Sequence, residues 1–201
     1  MNTLQKRCVD ISYRHKLTHV SSVLNTVNVI AEIYANRAKD DPFVLGNSHA
    51  SLALFVVLER YGYCDAEEMV KRHGTHACRD MEHGVWVSGG SLGQAETVAV
   101  GMALAEREHH VNLVTSDGAC MEGSVWEAMR IADKESLSNL KVDVVFNGLS
   151  AYDEVRELDV LSAMHFRATL HAEYWKLPIW MQGLKGHYLT LTEEQYASLM
   201  V

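Results

Sequence analysis

Two oxygen-bearing residues stand at the ends of two apolar runs. Val111 to Val114 leads through Ser116 to Asp117-Gly118, and Val142 to Phe146 leads to Asn147, with a helical pattern between them. Strand, turn, helix, strand is a βαβ unit, whose parallel strands end on the same edge of a sheet. Open α/β sheets bind ligands at that edge. The order of the elements therefore sets a carboxylate and an amide oxygen side by side at the mouth of a crevice. Asp-Gly alone is an ordinary turn dipeptide; the second strand and Asn147 turn it into a metal site. Hard oxygens of this kind suit Mg²⁺, which usually also holds phosphate groups, so the stretch reads as a magnesium–diphosphate site.

Histidine is the other source of chemistry. The chain has 11, and imidazole exchanges protons near neutral pH. Most must be surface or structural. His73, His76 and Cys78 lie close together, but their spacing fits no standard zinc finger and no fourth ligand is evident. Ser88-Gly89-Gly90-Ser91-Leu92-Gly93 follows a short extended piece, Val85 to Val87, and its glycines allow close backbone approach to a ligand.

Asp117-Gly118, then twenty-eight residues, then Asn147 resembles the thiamine diphosphate fingerprint. Glu122-Gly123, Trp126-Glu127-Ala128 and the upstream Gly90-Ser91-Leu92-Gly93-Gln94 extend it in the manner of transketolases. Together the blocks resemble the amino-terminal, diphosphate-binding half of transketolase over most of the chain. The resemblance implies thiamine diphosphate with Mg²⁺ or Ca²⁺, and transfer of a two-carbon ketol unit between sugars or sugar phosphates. It implies Asp117, Asn147 and the backbone carbonyl of Leu149 as metal ligands. Backbone amides around Gly118 and Ala119, at a helix start, would help hold the diphosphate. Gly90 and Leu92 would approach the cofactor. His19, His49 and His76 stand where the family keeps active-site histidines, His49 also touching cofactor. Glu122 would orient the site near a subunit interface. The family's fourth histidine has no clear counterpart, His187 in Lys185-Gly186-His187-Tyr188 matching only loosely. Three positions depart from the family pattern: Ser116 and Ala95 replace glycines, and Phe146 precedes Asn147 where a second Asn is usual.

These residues need a scaffold. The expected fold is α/β, a three-layer sandwich with a mostly parallel central sheet flanked by helices, as one domain over 1–201. An amphipathic stripe from Val20 to Tyr34 predicts a helix; Phe43 to Leu45 predicts a strand; Ser51 to Arg60, apolar nearly all round, predicts a buried helix. Asp65 is placed to cap a short helix through Val70. Val98, Met102 and Ala105 form a stripe on the next helix, and Trp126 reads as core packing. Beyond Asn147 a helix is expected over Asp159 to His171, a short strand over Leu177 to Met181, and a capping box at Thr192-Glu193-Glu194-Gln195.

Composition excludes some classes. A net charge of −8 argues against nucleic acid, which needs clustered Lys and Arg. No apolar run reaches membrane-spanning length. Four cysteines without a C-x-x-C pair suit a reduced, cytoplasmic setting. No second sheet pattern follows Asn147, and the residue that activates the cofactor's aminopyrimidine lies in another domain of the family. The expected assembly is therefore with a separate pyrimidine-binding transketolase subunit, or a homodimer or heterotetramer. The alternative is a non-catalytic or regulatory subunit of the same fold with weak or no cofactor binding. An unrelated nucleotide-binding domain is disfavoured, since neither Gly-x-Gly-x-x-Gly nor Gly-Lys-Ser/Thr occurs.

Overall fold

The computed structural model describes residues 1–150, 153–172 and 176–201. Parallel strands β1 (Phe43–Leu45), β2 (Val111–Ser116), β3 (Leu140–Val145) and β4 (Ala168–His171) lie side by side in that order. β2 is buried along its whole length, as befits a strand covered on both faces. Side chains alternate between two cores. Phe43, Leu45, Val114 and Val145 enter one; Val44, Leu113, Val142 and Val144 enter the other. The first core lies under α1 (Thr3–Arg14), α2 (Val20–Asn36), α3 (Ser51–Arg60) and α4 (Ala66–His73). The second lies under α5 (Gln94–Ala105), α6 (Gly123–Lys134) and α7 (Glu157–Ala163). Two short helices close the chain: α8 (Gly183–His187) against α2, and α9 (Glu193–Met200) against α1. This is the expected three-layer sandwich.

Local chemistry sets the helix starts. Thr192 and Gln195 form the expected capping box on α9, and Asp65 accepts the Glu68 N–H at the start of α4. Asn2 and Gln5 form a second capping box on α1. These contacts satisfy amides that the first helical turn leaves without partners.

Three expectations give way. The apolar run from Asp159 to His171 is not one helix. α7 ends at Ala163, His165 and Phe166 take positive φ of 50° and 57°, and the chain then enters β4. Pairing with the open edge of β3 overrides local helix preference. Leu177 to Met181 is not a strand: Pro178, at φ −52°, leads into a 3₁₀ turn over Ile179–Met181. On α5 the buried residues are Ala95, Ala99, Val100 and Ala103, while along the stripe Val98 is 42% exposed and Met102 packs partly against the second core. Small residues there let α5 and α6 pack closely. Trp126 is likewise 42% exposed rather than core, its indole N–H donating to the Cys120 carbonyl.

An acid lies beneath the strand ends. Glu96, in the first turn of α5, is fully buried; Oε1 accepts from the Thr115 hydroxyl and Oε2 has no hydrogen-bond partner. Gly46 leaves the space, since a Cβ there would lie 2.3 Å from Oε1. Burial raises the Glu96 pKa above its ordinary 4.5. The unfolded chain therefore releases this proton first, and stability falls as pH climbs from 4.5 through the raised value. Glu96→Gln keeps an oxygen for Thr115 and removes the ionisation. It is expected to raise the urea midpoint at pH 8 and to change it little at pH 4. Equal shifts at both pH values would show that ionisation is not the cost.

Candidate active site

The carboxyl ends of β1, β2 and β3 open onto one edge, and a cleft of about 190 Å³ lies there. Asp117 follows β2 and is 1% exposed. Its Oδ2 accepts the N–H groups of Asn147 at 2.8 Å, Gly148 at 2.6 Å and Leu149 at 3.3 Å. Its Oδ1 accepts from Gly118 at 3.0 Å. Asn147, which follows β3, accepts the Leu149 N–H through Oδ1 at 2.9 Å. The strand-end juxtaposition read from the sequence is present, and Asp117, Asn147 and Leu149 all line the cleft. Burial raises the Asp117 pKa, and the amide donors pull it part of the way back. Among the described lining residues there is no Lys or Arg, so the buried carboxylate has no side-chain cation beside it.

That donor set fits a hard divalent ion: a carboxylate, a side-chain amide oxygen and a nearby backbone carbonyl, in a cleft lacking fixed positive charge. The β3 loop lies against Gly118, where a Cβ would make ordinary van der Waals contact with the Leu149 carbonyl oxygen at 3.4 Å. No cluster of three or more His, Cys, Asp or Glu side chains suited to a metal occurs among the described residues.

Histidines make the opposite wall. His19, His49 and His187 form a triangle, with ring centroids 5.2 Å (19–49), 4.5 Å (19–187) and 5.3 Å (49–187) apart. His76 joins them in lining the cleft. Three of the four are held at Nδ1 by a hydroxyl: His19 by Thr18 at 2.7 Å, His76 by Ser48 at 3.2 Å, His187 by Ser22 at 3.3 Å. His19 takes the left-handed conformation, φ 63°, just before α2, and its N–H donates to the His187 carbonyl. Burial, then proximity to His187, lowers the pKa of His49 to about 3 and that of His19 to about 4. Burial lowers His187 too. All three are neutral near pH 7.

Gly90, at φ 149°, and Leu92 line the cleft as expected, as does Gly118. Ala119 does not. It is fully buried, its N–H donating to the Ser116 hydroxyl at 3.3 Å. Residues Ala119–Met121 form a 3₁₀ turn, and α6 starts only at Gly123. The expected helix start at Gly118 and Ala119 is a 3₁₀ one, and Asp117 and Ser116 take its amides. Glu122 is also outside the lining. It stands at the start of α6 against Gly93, where a Cβ would come within 2.9 Å of the Glu122 Cβ. Ser22, Asn25 and Asn47 line the cleft although their sequence contexts do not mark them as site residues, and His187, whose context matches the family only loosely, lines it too. Gly186 before His187 is the available signal: a Cβ there would lie 2.2 Å from the Met181 backbone.

Residues 18–168 match the model of the transketolase, thiamine diphosphate binding domain. The chain belongs to this family. Among its relatives is one of the subunits of the apulose-4-phosphate transketolase of Phocaeicola vulgatus, 29% identical over 82% of this chain and 66% of that protein. Another is a 6-deoxy-6-sulfo-D-fructose transketolase subunit of a Clostridium species, 27% identical over 92% of this chain and 73% of that one. A transketolase of Rhodobacter capsulatus is 35% identical, but over 53% of this chain and only 19% of its own length. The chain thus spans about two thirds to three quarters of the subunit relatives and a fifth of the longer enzyme. A crystal structure of a transketolase variant from Pichia stipitis superposes with a TM-score of 0.59 at 23% identity, covering 83% of this chain and 31% of that one. It has the same fold. The family departures are accommodated: Ser116 caps the turn through its hydroxyl, and Ala95 is core. No helix among the described residues is long and apolar enough to cross a membrane.

Proposed function

We propose that this chain is the diphosphate-binding subunit of a split transketolase-like enzyme, transferring a two-carbon ketol unit between sugars with thiamine diphosphate and Mg²⁺ (or Ca²⁺). The observation that carries this is the Asp117–Asn147 pair at adjacent strand ends, facing a wall of neutral histidines. Asp117, Asn147 and the Leu149 carbonyl would hold the metal, with Gly90, Leu92 and Gly118 against the cofactor. Thiamine diphosphate, when bound, supplies the electron sink for cleaving a bond beside a ketose carbonyl. The protein's part is binding and proton handling. Hydroxyl groups at Nδ1 orient His19, His76 and His187 and leave each Nε2 to face substrate. The neutral imidazoles of His19 and His187 can accept a proton or, in the other tautomer, donate one.

Two features support a partner subunit that binds the pyrimidine end. Both of the shorter relatives are named as subunits of transketolases. The adjoining helices α5 and α6 expose Val98, Leu104 and Trp126, and exposed apolar surface of this kind marks association sites. Glu122 begins α6, next to that surface. One observation favours the non-catalytic alternative: both Asp117 oxygens already accept amides.

Assembly decides between them. The isolated chain, supplied with cofactor, Mg²⁺ and ketose donor, is expected to show no turnover. Adding a pyrimidine-binding transketolase subunit encoded beside it is expected to give a complex by light scattering and ketol transfer by product assay. Turnover by the chain alone would overturn the split-enzyme reading. A complex that stays inactive would select the regulatory one.

A further inference from the structure

Two amide atoms in the cleft wall have no partner. His19, Ser22 and Asn25 follow one another at three-residue spacing, and all three line the cleft. Asn47, in the turn after β1, lines it as well. The Asn25 Nδ2 and the Asn47 Oδ1 are both buried and both without a hydrogen-bond partner. Asn47 is 1% exposed, and its Nδ2 donates to the Thr26 hydroxyl at 3.0 Å. That bond ties the turn to α2 and leaves Oδ1 as the unused atom. A buried donor or acceptor without a partner is costly, and native proteins keep few of them.

The chemistry of the two atoms narrows what satisfies them. A phosphate oxygen only accepts, so it serves Asn25 and not Asn47. A metal ion serves the Asn47 oxygen and not the Asn25 amide. An apolar ring serves neither. A hydroxyl group can accept from an amide N–H or donate to an amide oxygen, so a molecule carrying several hydroxyls serves both atoms. The surrounding wall is of the same character, with the Ser22 hydroxyl and imidazoles that carry no charge at neutral pH. We infer that Asn25 and Asn47 read hydroxyl groups of a polyhydroxylated substrate, and are specificity-determining residues of this cleft. Naming that substrate a sugar rests on the ketol-transfer reading above; the donor–acceptor pair does not. A site built to hydrogen-bond a hydroxyl discriminates strongly against ligands that lack one, because its own buried groups are then stranded.

The test uses the full chain, ¹⁵N-labelled, without cofactor or partner. The side-chain amide resonances of Asn25 and Asn47 are assigned by triple-resonance spectra and followed during titration with D-xylulose and, separately, inorganic diphosphate. D-xylulose is expected to shift both resonances saturably, and diphosphate to leave them in place. Asn47→Leu is expected to weaken the D-xylulose response by about tenfold or more. The wild-type titration stands by itself should that variant not fold. Resonances that move with diphosphate would make this an anion site, and resonances that move with neither would mean that water alone fills it. Either result overturns the inference. Mg²⁺-dependent cofactor binding with amides silent to D-xylulose would remove this pair and leave the transketolase reading intact. A D-xylulose response in a chain that binds no cofactor would do the reverse.

Discussion

Asp117→Asn is expected to abolish Mg²⁺-dependent binding of thiamine diphosphate by a chain that still folds. The reason is charge balance. Asp117 is almost fully buried, and no Lys or Arg lines the cleft among the described residues. A diphosphate entering there adds negative charge beside a carboxylate, which is unfavourable without a cation. Affinity for the cofactor is therefore conditional on the metal, and the metal's attraction for the site depends on the one formal charge that Asp117 carries. At an effective dielectric of about 20, unit charges 4 Å apart interact by roughly 4 kcal/mol. Even a discounted fraction of that corresponds to a hundredfold or greater loss of affinity. Asparagine is the informative replacement. Alanine would strand the N–H groups of Gly118, Asn147 and Gly148 together, at ~1–3 kcal/mol for each buried donor, and confuse binding with folding. Asn147→Ala is the companion, removing the second side-chain oxygen while the Leu149 N–H keeps its bond to Asp117. Calorimetry with and without Mg²⁺ reads the binding, and thermal melts check the fold. Undiminished metal-dependent affinity in both variants would sink the ligand assignment.

Why some of this architecture is legible in the sequence and some is not follows from the range of the forces. Asp117 and Asn147 are fixed by what precedes them. Each ends an apolar run, and a right-handed parallel crossover has only one edge on which to place both ends. The capping boxes and the buried helix α3 are equally local. β4 reads as helix in the sequence because its pairing with β3 is non-local and its approach runs through two left-handed residues, His165 and Phe166. Ala119 reads as a helix start because the side chains that take the amides there, Asp117 and Ser116, do so only in the folded turn. His187 lies 165 residues from Ser22, its hydroxyl partner, and no periodicity connects them. Trp126 looks like core by type alone; only the packing of small residues between α5 and α6 leaves it outside.

The histidine wall carries a consequence for acid stability. His49 and His19 have pKa values near 3 and 4 in the folded chain, against an ordinary 6.5, and burial lowers His187 as well. Between pH 6.5 and 4 the unfolded chain binds protons at these positions that the folded chain does not. Stability then rises with pH through that window, and is lost as pH falls from 6.5. The three rings touch one another, so a first proton makes a second harder to add, and the loss is shared rather than additive. Its size is on the order of 3 kcal/mol for His19 or His49 taken singly by pH 4, a large part of a typical domain's stability. Glu96 and Asp117, raised by burial, act in the opposite direction and soften the decline as pH falls. The expected result is a urea midpoint that drops steeply from pH 6.5 to pH 4.5 in the wild type. In His19→Gln/His49→Gln the drop is expected to be much shallower, with little change at pH 7.5, where both imidazoles are already neutral. Parallel curves for the two proteins would mean that these rings titrate normally in the fold, and the neutral proton-handling wall would have to be abandoned.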